Sequence, residues 1–329
     1  SFIHPQQWPE GFDCSGKRVV VIGSGATAVT LVPELARQAE HVTMLQRSPT
    51  WMFVAPSEDA MAARLRRLLP EWLAFRLIRI KNIIRQRFTF TMARRRPDLV
   101  SGRLMAQVAG ELPGYEHLER DFRPRYNPWE ERICLVPDGD FFDAIRDGKA
   151  SVVTGQIENF EAGGIRLESG ERLEADVVVS ATGLKLALLG KAQLSLDGAP
   201  VNIADHVTYR GAMLDSIPKF IFVFGYTNAS WTLKSDLVAG FTCRLIRAMD
   251  RKGAAVVTPA PLDARLPRQP FSDFRSGYFQ RAAAILPSQG EMQPYRINMA
   301  YEQDIASLRF GKVDDDTLMF SAALAEAAE

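Results

Sequence analysis

One stretch, Val19 to Arg47, narrows the choice of fold more than any other part of the chain. Val19-Val20-Val21-Ile22 is short, apolar and β-branched, the pattern of a strand buried in a parallel sheet. Gly23-Ser24-Gly25-Ala26-Thr27-Ala28 follows at once. In such a turn Gly23 permits a tight bend and Gly25 lets the backbone approach a pyrophosphate. The small Ala28 lets the next helix pack on the strand. The helix opening at Ala26 and Thr27 offers unpaired N–H groups and a positive dipole end to phosphate. A second strand returns at Val42 to Leu45. The expected class is therefore α/β, with a Rossmann-like nucleotide-binding domain.

The end of that second strand selects the nucleotide. An NAD site places Asp or Glu there, to accept from the ribose 2′-OH. This chain has Gln46-Arg47-Ser48 instead. A cation with a hydroxyl suits the extra phosphate of NADP, and guanidinium matches phosphate geometry well. Alone, Gly-x-Gly-x-x-Ala is a weak signal and Arg47 reads equally as a solvated surface residue. Strand, turn, helix, second strand and base in one order favour nucleotide binding.

At 329 residues the chain has room for about two domains with sizeable cores. Its net charge of +1 gives no bias toward nucleic acid, and none is expected as a partner. Cys14, Cys134 and Cys243 lie far apart, which argues against a zinc site, a redox pair or a disulfide framework, so no metal is expected. No signal-peptide pattern opens the sequence, and no run of about eighteen apolar residues suggests a membrane span. A reducing, cytoplasmic setting is expected.

In chain order, residues 1–17 read as a linker, turn-rich and without helix or strand periodicity. Residues 18–180 read as the nucleotide domain, interrupted by a helical insertion over about 58–125. Within it, Leu69, Leu73, Leu77, Ile80, Ile84 and Phe88 recur at helical spacing, with Trp72 and Ile83 beside them. Arg64, Arg66, Arg67, Arg76, Arg79, Lys81, Arg85, Arg87, Arg94, Arg95 and Arg96 accompany that stripe, with Glu71 the single nearby acid. The favoured reading is a core-facing stripe with solvated arginines. The other is a basic amphipathic helix lying on an anionic membrane, giving peripheral membrane contact through 64–96.

Phe141 to Ile145 reads as a helix and Ser151 to Val153 as a strand. A β-meander is expected over Ile157 to Leu173, with turns at Gly163-Gly164 and Ser169-Gly170. The buried strand Asp176 to Val179 ends in Ser180-Ala181-Thr182-Gly183. Lys219 to Phe224 reads as another apolar strand and Leu233 to Met249 as a helix. Residues 181–255 are expected to form one further domain portion, with a tail, irregular at Pro259 to Pro270, over 256–329.

His4, Trp8 and Pro9, set just before Gly23-Ser24-Gly25, resemble the end of the Baeyer–Villiger monooxygenase fingerprint. Gln46-Arg47-Ser48-Pro49-Thr50-Trp51, Tyr126-Asn127-Pro128-Trp129-Glu130-Glu131-Arg132 and Tyr226 to Lys234 resemble further stretches of the same class B flavin-dependent monooxygenases, most closely the ethionamide-activating branch. The resemblance runs from residue 1 to about 250. It implies a flavoprotein with two dinucleotide-binding domains: NADP in the domain above, and residues 181–255 as the C-terminal part of an FAD-binding domain. It further implies cofactor contacts from Thr182, Gly183, Asn228 and Thr232, and a helix after Leu233 aimed at the flavin.

The implied activity is NADPH- and FAD-dependent oxygenation by O2 of a ketone or a sulfur-containing small molecule. The flavin carries the difficult chemistry and the protein supplies position and charge. By the same resemblance Arg132 matches the active-site arginine, a fixed cation where negative charge develops. Read from spacing alone, Arg132 is equally a surface arginine paired with Glu130 or Glu131. The family's upstream FAD turn does not occur in this sequence, so the chain reads as the C-terminal portion of a longer enzyme. That reading predicts bare apolar faces on Val177 to Val179 and Ile221 to Val223. The alternative function is an inactive NADP-binding remnant without FAD.

Overall fold

The computed structural model of the chain describes residues 1–131, 133–272 and 277–322. The chain forms two compact units, Ser1–Leu184 and Lys185–Glu329.

The first unit is built on a five-stranded parallel sheet. Its strands are β1 (Phe2–Ile3), β2 (Arg18–Ile22) and β3 (His41–Gln46), with β6 (Ala150–Thr154) and β10 (Val177–Ser180) from further along the chain, in the order β1-β10-β2-β3-β6. Alternation along β2 divides the core. Val19 and Val21 point to one face, where they meet Val29 and Val32 of α1 (Ala26–Ala36) and Phe141 and Phe142 of α6 (Asp140–Arg146). Val20 points to the other, with Leu45 and Val178, against Ile165, Leu167 and Leu173. Those three come from the antiparallel meander β7 (Ile157–Glu161), β8 (Gly164–Leu167) and β9 (Arg172–Glu174). Burying each such valine stabilises the fold by about 1.5–3 kcal/mol relative to exposure.

Two expectations change here. The linker is not wholly irregular, since its first residues supply β1. With β1 on one side and β2 on the other, β10 is an interior strand, and Val177 and Val179 are buried. The bare face expected over Val177 to Val179 is therefore absent. Val223, in the other unit, is exposed.

The insertion follows β4 (Met52–Ala55). It consists of α2 (Ala60–Leu68), α3 (Glu71–Arg95), α4 (Pro97–Glu111) and α5 (Leu118–Phe122), before β5 (Cys134–Pro137) pairs in parallel with β4. Asp59 caps α2, accepting from the Met61 and Ala62 amides at 3.1 Å. The core-facing reading of the arginine-rich stripe is overturned. Leu77, Ile80, Ile84 and Phe88 are 40%, 54%, 63% and 62% exposed, and the buried residues of α3 are Ala74 and Ala93. The reason is packing. Leu104, Met105 and Val108 of α4 fill the space against the sheet, and α3 lies outside them on small side chains.

The second unit is organised on α7 (Trp231–Lys252). Leu237, Val238, Phe241 and Leu245 pack against Val207, Tyr209 and Met213 on one part of the chain and Tyr295, Leu308 and Leu318 on another. After short hairpins β11 (Leu194–Leu196) with β12 (Ala199–Val201) and β13 (Thr208–Tyr209) with β14 (Met213–Leu214), the chain enters α7. It returns through β15 (Val256–Pro259), β16 (Arg268–Gln269), α8 (Gly277–Ala282), β17 (Gln289–Gly290) and α9 (Tyr301–Asp304). β18 (Leu318–Ser321) closes the unit, antiparallel to β15. The stretch after residue 255 thus packs in the same unit as α7.

Lys219 to Phe224 is not a strand. No ladder partner lies beside it among the described residues. Its amides bond singly, Lys219 to the Val257 carbonyl and Phe222 to that of Ala212, both at 2.9 Å. Among the described residues no helix is long and apolar enough to cross a membrane.

Candidate nucleotide-binding site

The carboxyl ends of β2, β3 and β10 meet at one level of the first unit. The Gly23 amide donates to the Leu45 carbonyl and the Ala181 amide to that of Ile22, both at 2.8 Å. Gly23 has φ +131°, and a Cβ built on it would lie 2.4 Å from the Ala181 carbonyl oxygen. Only glycine fits. Ala181-Thr182-Gly183 is therefore pressed against the glycine turn, with Gly183 also at positive φ, +109°. Open α/β sheets bind ligands in this crevice, beyond the strand ends.

Gly25 plays a different part. It is the N-cap of α1, its φ is −78°, and a Cβ there would meet nothing within 4 Å. The helix has neither a side-chain cap nor an acid in its first turn. Gly25 and Ala26 are exposed and Thr27 is half-buried. The start of α1 is thus exposed and uncapped by a side chain, a setting in which helix amides can receive a pyrophosphate.

Beside this turn stands the end of β3. Arg47 and Ser48 are exposed, and the Ser48 carbonyl accepts from Ser24 Oγ at 2.8 Å, which ties the corner to the glycine turn. Gln46 is structural. It is buried, and its amide nitrogen donates to the Asp121 carbonyl at 2.7 Å and to Thr154 Oγ1 at 2.9 Å.

A loop from the insertion completes the corner. Trp51 Nε1 donates to the Tyr126 carbonyl at 2.9 Å, and Thr50 Oγ1 lies 3.2 Å from the Tyr126 hydroxyl. Burial pushes the Tyr126 phenol up to about 12. Further along, Glu131 is half-buried. Burial raises its carboxyl above the ordinary value, and the charge of Arg47 opposes that rise. Arg132, the expected catalytic cation, lies outside the described residues.

His4 and Trp8 serve the segment just after β1. His4 Nδ1 accepts from the Gln6 amide at 3.2 Å, capping the single turn Pro5–Gln7. Trp8 meets Phe12 edge-on at 5.7 Å.

Asn228 and Thr232 belong to the second unit. Asn228 Nδ2 donates to the Met299 carbonyl at 3.0 Å, and Thr232 Oγ1 lies 2.8 Å from Ser230 Oγ. One turn into α7, Lys234 Nζ donates to Asp304 Oδ2 at 2.7 Å, and the Tyr226 hydroxyl donates to the same oxygen at 2.5 Å. Asn298 Nδ2 donates to Asp304 Oδ1 at 3.3 Å. Lys234 and Asp304 are 1% and 0% exposed. Burial lowers the Lys234 ammonium below its usual range, with Asp304 opposing. Sequence reading passed over this pair. Its one visible sign is a lysine beside Leu233 and three residues before Leu237, on the apolar side of α7.

The structure thus gathers Gly23, Ser24, Gly25, Ala26, Thr27, Arg47, Ser48, Thr182 and Gly183 at the strand ends of one unit. It places Asn228 and Thr232 in the other.

No family model matches the chain. The FAD-containing monooxygenase EthA of Mycobacterium tuberculosis is 47% identical to it over 320 residues, covering 97% of this chain and 65% of that protein. The probable FAD-binding monooxygenase AlmA of an Acinetobacter species is 45% identical over 321 residues, covering 97% and 64%. Among solved structures, an oxidized steroid monooxygenase bound to NADP matches with TM-score 0.65 at 19% identity, over 98% of this chain and 70% of that one. Cyclohexanone monooxygenase from Rhodococcus sp. Phi1 bound to NADP+ matches with TM-score 0.61 at 18% identity, over 98% and 70%. At that identity the structural likeness shows the fold. The chain spans 65% and 64% of the length of the two curated relatives.

Proposed function

We propose that the chain, similar at 45–47% identity to these flavin-dependent monooxygenases, belongs to their family and binds NADPH at the ends of β2 and β3. It does so in the service of FAD-dependent oxygenation, by O2, of a ketone or a sulfur-containing small molecule. One observation carries this reading: the uncapped start of α1 and the exposed Arg47-Ser48 corner are joined through Ser24. In this assignment the amides after Gly25 receive the pyrophosphate, and Arg47 with Ser48 receives the 2′-phosphate. Thr182 and Gly183 let the backbone come close to the cofactors. FAD, when bound, supplies the oxygen-activating chemistry. The sequence holds one Gly-x-Gly-x-x-Ala turn, which the NADP site uses, so Thr182, Gly183, Asn228 and Thr232 are proposed for flavin contacts other than its phosphates. Arg132 is proposed as the fixed cation where negative charge develops.

Titration with NADPH and NADH tests the assignment. Arg47→Ala is expected to weaken NADPH binding by about 1.5–3 kcal/mol, the loss of a hydrogen bond to a charged group, and to leave NADH nearly unchanged. Equal losses for both nucleotides would sink it.

A second proposal concerns α2 and α3: peripheral contact with anionic membranes through residues 64–96. Leu77, Ile80, Ile84 and Phe88 form an exposed apolar line on α3, beside Trp72 with Arg76 over its ring. The local acids Asp59 and Glu71 pair with Lys81 and Arg66, leaving a strong positive excess. An apolar line within a cationic field suits anionic phospholipid. Cosedimentation with acidic vesicles at low salt, lost at high salt and with neutral vesicles, is the expected result. Protein that stays in solution with acidic vesicles removes the proposal. Pelleting without lipid replaces it with self-association.

A further inference from the structure

The side-chain hydrogen bonds at the end of β3 form a chain with one direction. Gln46 is the last residue of that strand and is 1% exposed, and Arg47 is the next residue. Gln46 Nε2 donates one proton to the Asp121 carbonyl at 2.7 Å and the other to Thr154 Oγ1 at 2.9 Å. A backbone carbonyl can only accept, so the orientation of the Gln46 amide is fixed. Thr154 is the last residue of β6, and its hydroxyl donates in turn to Asp121 Oδ1 at 2.7 Å.

Asp121 receives the end of the chain. It lies on α5, at the close of the insertion, with 0% exposure. Arg120 grips its carboxylate with both sides of the guanidinium, Nε to Oδ1 at 2.9 Å and Nη2 to Oδ2 at 3.0 Å. The Tyr115 hydroxyl donates to Oδ2 at 3.0 Å. Burial, then the charge of Asp121, raises the Tyr115 phenol above its ordinary value, which keeps it a donor. A carboxylate buried at this cost is stable only with such partners.

Strand pairing does not depend on this network. β3 and β6 pair through their backbones, and the Gly155 amide donates to the Gln46 carbonyl at 2.9 Å. What the side chains add is a fixed rotation of the strand end about its own axis. Gln46 Oε1 has no hydrogen-bond partner among the described residues, so the Gln46 side chain is held by its nitrogen alone.

We propose that Asp121 and Thr154 are positioning residues of the nucleotide site: through Gln46 they set the direction in which Arg47 leaves β3, and so hold its guanidinium for the 2′-phosphate. This rests on the assignment of the Arg47 corner to the nucleotide ribose. The glycine turn is anchored separately, by the Gly23 amide on the Leu45 carbonyl. Loss of the network therefore acts on the contact that NADPH alone makes, and spares the pyrophosphate contacts that NADPH and NADH share.

The test is fluorescence titration of both nucleotides into the parent chain, T154V, T154S, D121N and R47A, with denaturant unfolding of each. T154V removes the hydroxyl that joins Gln46 to Asp121 and keeps the shape of the side chain. It is expected to lower the NADPH:NADH affinity ratio about fivefold, the worth of one hydrogen bond. T154S keeps the hydroxyl and should keep the parent ratio. D121N should move the ratio in the same direction as T154V, because the bond from Thr154 loses its charged acceptor. Where D121N does not fold, T154V against T154S decides. If R47A lowers the ratio while T154V leaves it at the parent value, or if T154V weakens both nucleotides equally, the network is merely structural and the inference is overturned. If R47A leaves the ratio unchanged as well, the ribose assignment fails and takes the inference with it.

Discussion

Gly23→Ala is expected to destabilise the first unit by about 3 kcal/mol or more, the sum of a strained φ and a backbone collision. The added methyl would sit 2.4 Å from the Ala181 carbonyl oxygen, at φ +131°. That oxygen belongs to a strand end fixed by the Ala181 amide bond to Ile22, so it has little freedom to retreat. The companion variant Gly25→Ala should behave differently. Its methyl meets no protein atom within 4 Å, so stability should hold within about 0.5 kcal/mol. Yet it projects into the space assigned to pyrophosphate, and NADPH affinity should fall about tenfold or more, roughly the worth of one charged hydrogen bond. Denaturant unfolding and nucleotide titration separate the two. A Gly23→Ala protein as stable as the parent contradicts the close approach of β2 to the Ala181 turn. A Gly25→Ala protein with parental NADPH affinity contradicts the site.

Lys234→Met should cost about 3–5 kcal/mol, because it leaves Asp304 charged and buried. In a unit of this size that lowers the unfolding midpoint by about 10 °C. Asp304 has 0% exposure, and Tyr226 and Asn298 donate to it besides Lys234. Neutralising both partners, as Lys234→Met with Asp304→Asn, should recover more than half of the loss. The asparagine keeps an acceptor for the Tyr226 hydroxyl and removes the stranded charge. A single-variant cost below about 1 kcal/mol is what solvated ion pairs give. It would mean that the pair is wet in solution.

Legibility followed the range of the interactions. The β2–turn–α1–β3 unit was readable because its signals are local: a β-branched run, two glycines, a small residue and a second strand. The meander over Ile157 to Leu173 was readable from its turns. Three features were not, each for a physical reason. The stripe from Leu69 to Phe88 has a core helix's period, but period alone does not tell which face the rest of the fold fills, and α4 fills it. Lys219 to Phe224 has strand composition, but a strand needs a neighbour, and the sequence does not show that one is lacking. Lys234 and Asp304 meet through folding across a long separation, with no spacing to announce the pair. Among the residues assigned to the nucleotide, Arg47 was legible because it closes a recognisable strand.

The order β1-β10-β2-β3-β6 has a consequence in time. β10 is the last strand of the sheet to be synthesised, yet its place is an interior slot between β1 and β2. Until Ser180 has left the ribosome, β1 and β2 both lack the strand that lies between them. The contacts that tie β1 to β10 are thus among the last the first unit can make, and an unpaired edge is a route to wrong partners in the interval. Gly23 shares that delay, because the carbonyl it must clear arrives with Ala181. The turn proposed to receive phosphate can be drawn from residues 19–47, but its final shape waits for a strand more than a hundred residues later.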